Sequence, residues 1–265
     1  MNPVIDSHCH IYPDKIAEKA SEGIGKFYDT PMKFDGRLST LKEVSARAHV
    51  CHSVVFSVAT AQKQVSSINN YIASCVSESE GRMTGLGTLY PDSDDLDRDI
   101  EQIISLGLKG VKLHPDVQGF KIDDYRCLKI YEKCEGRLPV LLHCGDYRYD
   151  FSNTNRLIPI LETYENLTVI GAHFGGWSNW EKAAEELCGY KNLIVDSSST
   201  FAWVNKETAK KLIKLYGADK IMFAADYPMW DPKDEIEYLL SLGLTNEEYE
   251  KIFYKNAQKL FDIKL

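Results

Sequence analysis

His8 and His10 close the apolar N-terminal segment Val4-Ile5-Asp6-Ser7 of this 265-residue chain. Side chains at i and i+2 of a strand share one face, so the two imidazoles project together, close enough to grip one metal ion. A lone His-x-His is a weak signal, but the same arrangement recurs downstream. Leu141-Leu142-His143, Gly171-Ala172-His173 and Phe223-Ala224-Ala225-Asp226 each end an apolar run in a polar group. Imidazole and carboxylate suit zinc, and also manganese, iron, nickel or cobalt. Taken singly, each residue has a plainer reading: a hydrogen-bonded core histidine, or an aspartate opening the turn Asp226-Tyr227-Pro228. Their joint placement at four strand ends points to a metal in the mouth of a barrel.

The elements that would position these groups alternate along the chain. Strands are predicted at Val4–Ser7, Ser53–Ala59, Met83–Leu89, Gly110–His114, Pro139–His143, Thr168–His173, Leu193–Ser198 and Ile221–Ala225. Helical patterns lie between them, at Val65–Ser79, Leu96–Leu106, Tyr125–Glu135, Glu181–Leu187 and Glu207–Tyr216. Strands separated by helices imply βαβ units and a parallel sheet. Eight such units in a chain of this length favour an α/β fold of the closed (β/α)8 TIM-barrel type over a doubly wound sheet. With no linker and no low-complexity stretch, residues 1–265 read as a single domain.

Strand starts after the first are 25 to 30 residues apart, whereas Val4 and Ser53 are separated by 49. The excess predicts a long loop after strand 1, over Ile11–Thr40, suited either to covering the active end or to a dimer contact. Alternation predicts that Leu141 and His143 face the barrel interior and Leu142 the helices. The same parity puts Gly171 with His173, and Ala224 with Asp226, inside. Cys9 and Cys144 then lie behind the wall as packing residues.

The formal charge of -8, with no basic run, disfavours nucleic acid or an anionic membrane as a partner. No apolar run is long enough to span a bilayer, and no secretory signal is visible. Seven cysteines without a C-x-x-C pair read as reduced thiols of a cytoplasmic protein.

Asp6-Ser7-His8-Cys9-His10, Gly110-Val111-Lys112-Leu113-His114-Pro115, Leu142-His143-Cys144-Gly145, Ala172-His173-Phe174-Gly175-Gly176 and Ala225-Asp226-Tyr227-Pro228 together resemble the amidohydrolase superfamily. The similarity is greatest to the amidohydrolase-2 branch. That branch holds aminocarboxymuconate-semialdehyde decarboxylase, resorcylate-type decarboxylases and dicarboxylate lactone hydrolases. The resemblance implies a (β/α)8 barrel with one divalent metal, most often zinc. His8, His10 and His143 would be ligands, with Asp226 completing the set or holding the metal water. His173 would be an acid/base or polarising group beside the metal. Lys112 stands where binuclear members carry a carboxylated lysine, so Lys112 and His114 mark a possible second metal or a substrate contact.

The expected activity is metal-dependent hydrolysis of a small organic acid, amide or lactone through an activated water, with Asp226 and His173 as catalytic groups. Non-oxidative decarboxylation of an aromatic or unsaturated acid is the alternative, since the same residues serve both. A TatD-like nuclease is a minor alternative: Leu108-Lys109-Gly110-Val111-Lys112 lacks the glutamate such enzymes present at strand 4. A non-catalytic binding barrel is another, opposed by a usable group at every motif position. Trp177 and Trp230 follow strand ends and suit the wall of a pocket for a small planar ligand. Arg148, flanked by Tyr147 and Tyr149, or Arg156, is placed to fork onto a substrate carboxylate. Trp and Arg are equally at home in a homodimer interface.

Overall fold

The computed structural model describes residues 2–265. Its strands are β1 (Ile5–His10), β2 (His52–Phe56), β3, β4 (Val111–Leu113), β5 (Val140–Leu142), β6 (Val169–Gly171), β7 (Leu193–Asp196) and β8 (Ile221–Met222). β3 comprises Met83–Gly85, paired with β2, and Gly87–Thr88, paired with β4. Every pairing is parallel. The amides of Ser7 and His10 donate to the carbonyls of Phe223 (3.0 Å) and Tyr227 (2.8 Å), joining β1 to the segment after β8 and closing the barrel.

Alternation along the strands divides the apolar residues into two layers. Ile5, Val54, Phe56, Leu86, Leu141, Ile170, Ala172 and Met222 fill the barrel, with Ala257, Phe261 and Ile263 of the C-terminal segment packed against them. Val55, Val111, Leu113, Val140, Leu142, Val169 and Val195 face the helices. Cys9 and Cys144 lie in that outer layer, as alternation predicts. Gly85 has the same outward position: a Cβ there would lie 2.6 Å from Leu108 and 2.8 Å from Ile72, so only glycine admits this close helix approach.

The five predicted helices form within two residues of their expected ends. β1 runs on to His10, beyond its expected end at Ser7, whereas the later strands are shorter than expected, because pairing ends where the chain turns into the functional loops. The excess after β1 is not an irregular loop. It folds into two helices, α1 (Ala17–Tyr28) and α2 (Leu38–Arg47), before β2, and α3 (Val65–Ser77) follows β2. No helix among the described residues is long and apolar enough to cross a membrane.

Candidate metal centre and active site

A bulge in β1 brings the first two histidines into the barrel. Asp6 pairs with Ser53 and Cys9 with Val55, so three steps on β1 oppose two on β2. The extra residue shifts the alternation, and His8 and His10 face inward although Ile5 does too. The Asp6 carboxylate spans the irregularity: one oxygen accepts the amides of His8 (3.2 Å) and Ala225 (3.0 Å). Burial pushes the Asp6 carboxyl up to about 7.

Asp226, beyond β8, completes a three-residue cluster. Its Oδ1 lies 3.5 Å from His8 Nε2 and 3.8 Å from His10 Nε2. One donor atom from each residue falls within 4.8 Å of the others. Two neutral imidazoles and a carboxylate at this separation fit a divalent metal ion. The protonation states agree, because burial holds both histidines well below their usual pKa and so unprotonated. Ser199 donates to the other oxygen of Asp226 at 2.5 Å, and Trp230 Nε1 donates to Ser199 Oγ at 2.9 Å.

Asp196, at the end of β7, was not singled out by the motifs, yet it organises the centre. Its Oδ2 takes the Nδ1 proton of His8 at 2.8 Å, which turns Nε2 of that ring toward Asp226. Its Oδ1 accepts the amides of His173 and Ser198, both at 3.1 Å. A metal-binding histidine is commonly oriented by such a partner, whose loss costs about 10–100-fold in metal affinity. Asp196→Asn is therefore expected to weaken metal retention by roughly that factor, read by competition against a graded chelator. Unchanged retention would remove Asp196 from the centre. The sequence does carry the signal: Ile194 lines the barrel, so the alternation that singles out Asp226 applies equally to Asp196.

Simple alternation fails at β6. Ile170 and Ala172 face the barrel, not Gly171 as parity predicts, and an extended chain would send His173 outward. Instead His173 has φ +59° and Phe174 φ +51°, and this left-handed turn swings the imidazole back inside. Ser198 O lies 2.9 Å from His173 Nδ1 and can only accept, which fixes a proton there. His173 Nε2 faces His143 Nδ1 at 2.9 Å.

The expected ligand set is divided in space. His143 is not among the three residues that converge. Its Nε2 lies 3.1 Å from Gly145 O and 3.3 Å from the Tyr28 hydroxyl, and 3.7 Å from Asp116. It forms a second group with His114 and Asp116. The His114 and His143 rings stack at 4.0 Å, bridged by Tyr28, which lies 2.9 Å from His114 Nε2. Lys112 shares the inward face of β4 with His114. It is fully buried, its Nζ 3.3 Å from His8 Nε2 and 5.3 Å from the Phe56 ring centre, and burial lowers its pKa to about 8.

A cavity of about 550 Å³ opens over these groups. His8, His10, His114, His143, His173 and Asp226 form its polar end, and Trp177 lines it as expected. Arg148 and Trp230 are not among its lining residues, contrary to expectation. The Arg148 guanidinium is taken by both oxygens of Asp146 (2.9 and 2.7 Å) and by Phe27 O (2.5 Å), and it stacks against Phe27 and Tyr28. These contacts tie it to the end of α1. Arg156 is likewise engaged, by Asp123 and Asp150. Trp230 acts on the centre only through Ser199.

Comparison with known proteins agrees with this geometry. 2-Amino-3-carboxymuconate-6-semialdehyde decarboxylase of Dictyostelium discoideum is 25% identical over 198 residues, covering 61% of this chain. The match spans 55% of that protein, so the chain covers about half of its length. An uncharacterised TIM-barrel protein from Bordetella bronchiseptica superposes with a TM-score of 0.78 over 98% of both chains, at 18% identity. A dihydroxybenzoic acid decarboxylase from a Polaromonas species, solved with manganese and 2-nitroresorcinol, gives 0.74 at 15% identity, covering 99% of this chain and 97% of its own. These two likenesses establish the (β/α)8 fold. The Amidohydrolase family model, of the amidohydrolase-2 branch, matches residues 5–263. The chain belongs to the amidohydrolase family.

Proposed function

We propose that this enzyme is a carboxy-lyase, removing CO2 without oxidation from a small aromatic or unsaturated carboxylic acid. The observation that carries this reading is the supply of proton-transfer groups in the cavity. In hydrolysis the group that takes the proton from water must be free to hand it on to the leaving group. Asp226 is the only carboxylate lining the cavity among the described residues. Its Oδ1 faces His8 and His10, and its Oδ2 is held by Ser199. The remaining lining groups that can carry a proton include His114, His143, His173 and Tyr28; His173 lies beside His8, ring centres 5.4 Å apart, and decarboxylation needs only one proton donor. The relative in Dictyostelium, a decarboxylase by name, supports the same reading.

His8, His10 and Asp226 would hold the divalent ion, zinc or manganese, which supplies an electrophilic centre for substrate oxygens. The aromatic wall of Phe27, Tyr28 and Trp177 excludes water from the carboxylate. Desolvation favours the loss of an anion as neutral CO2. The C–C electron pair stays on the ring or diene carbon, and one proton from His173 replaces the carboxylate. Burial lowers the His173 pKa to about 4 in the empty cavity, and an incoming anion raises it, so the proton arrives with the substrate. His143 and Tyr28, in hydrogen-bonded sequence beyond His173, provide a route for resupply.

Metal-loaded protein would be incubated in D2O with hydroxybenzoic and muconic acids, and in parallel with lactones and amides. The expected result is CO2 release with one deuterium at the carbon that lost it. Opening of lactones or amides with no CO2 from any acid would overturn the proposal in favour of hydrolysis.

A further inference from the structure

The apolar residues of α1 are arranged the wrong way round for a helix that only packs on a barrel. Its buried positions are small: Ala17, Ser21 and Gly25. Its bulky apolar residues Ile24 and Phe27, with Ile16 just before it, line the cavity. These positions, together with Ala20 and Gly23, follow helical spacing and form one stripe. Ile68 and Tyr71 of α3 line the same cavity. Ile16 is 51% exposed, so water still reaches this end.

Size and charge narrow the occupant. An apolar cavity of about 150 Å³ already accepts a benzene ring. The cavity here is about 550 Å³, so a single-ring acid at the histidine end leaves most of it empty. A second carboxylate would find no buried cation among the lining residues. No arginine lines the cavity, and its one lysine, Lys19, sits exposed at the rim. An unpaired buried charge is strongly disfavoured.

We infer that the substrate is a monoanionic carboxylic acid with an extended apolar substituent, its head at the His8–His10–Asp226 end and its tail along the stripe of α1. This rests on the carboxylic-acid reading above and specifies what the acid carries.

Gly23 offers a direct test. A Cβ added there would meet no protein atom within 4 Å, and its backbone is not left-handed. Leucine also favours a helix over glycine. Gly23→Leu thus adds bulk at the cavity wall from a position whose backbone and Cβ space both admit a side chain. The probes are 2-hydroxybenzoate, its 4-alkyl homologues from methyl to hexyl, and benzene-1,3-dicarboxylate. Each would be titrated calorimetrically into manganese-loaded protein, with CO2 release followed on the same samples.

Kd is expected to fall about fourfold for each methylene fully buried. In Gly23→Leu that slope should flatten, with no fall in Tm. A flat or rising Kd along the series, an undiminished slope in Gly23→Leu, or tighter binding of the dicarboxylate than of the butyl homologue would overturn the inference. The two readings fail separately. An affinity slope without CO2 release would sink the carboxy-lyase proposal and leave the channel standing. CO2 release from the short acids without a slope would do the reverse.

Discussion

Replacement of His10 by alanine is expected to leave the purified chain with little bound metal and to lower turnover by roughly 10³-fold or more, the equivalent of about 4 kcal/mol in the transition state. His10 is the better choice of the two N-terminal histidines. Its Nε2 faces Asp226 at the edge of the cavity, and its side chain is 14% exposed. His8, by contrast, also meets Asp196, Ser198 and Lys112, so its removal would unsettle buried polar groups as well. The loss of metal in His10→Ala should exceed that in Asp196→Asn, because a donor is removed instead of its orienting partner. Elemental analysis after dialysis, with a melting curve to show the fold intact, measures both. Full metal content in His10→Ala would dissolve the three-residue centre.

The barrel itself was legible because its strands bury two faces with different partners. In β5, Leu141 enters the barrel core and Leu142 the helix layer, and both must be apolar. Such runs survive in the sequence whatever the chemistry. What alternation could not convey is where the backbone departs from it. The β1 bulge and the left-handed His173 each reset the parity at a functional residue. Strain of this kind collects at sites where the surrounding structure enforces it. The amide of His173, bound to Asp196, is part of that enforcement.

The segment after β1 differs from its expected form for another reason. Gly23, Gly25, Pro31 and Gly36 suggest a loop, and the apolar stripe of α1 faces a cavity, not a core. A helix that serves a ligand lacks the pattern of one that serves the fold. Arg148 shows the complementary error. Of its two flanking tyrosines, which suggest a pocket, Tyr149 does stack on it, but Asp146, two residues earlier, holds the guanidinium. Hydrolase and carboxy-lyase could not be separated at the motif level, because both use the same strand-end groups. The carboxy-lyase proposal rests instead on which of those groups are free once folded.

His173→Ala is the substitution that separates proton transfer from metal binding. Turnover is expected to fall about 10²- to 10⁴-fold, the usual contribution of a positioned acid or base, while metal content stays at the parent level. The geometry requires this split. His173 Nδ1 is committed to Ser198 O, and Nε2 meets His143 instead of the His8–His10–Asp226 cluster. Nε2 is the nitrogen left to exchange a proton, between His143 and the cavity, and it lies outside the His8–His10–Asp226 group. Substrate affinity should change far less than turnover, because the loss falls on the step in which carbon is protonated. Deuterium delivery adds a readout that a merely structural role would not move. In mixed H2O and D2O, the product of the parent enzyme should carry the isotope preference of a single donor, and the variant should lose that preference as solvent replaces the imidazole. If the variant instead lost its metal, His173 would join the ligand set, and the donor would have to be sought along the His143–Tyr28 side of the cavity.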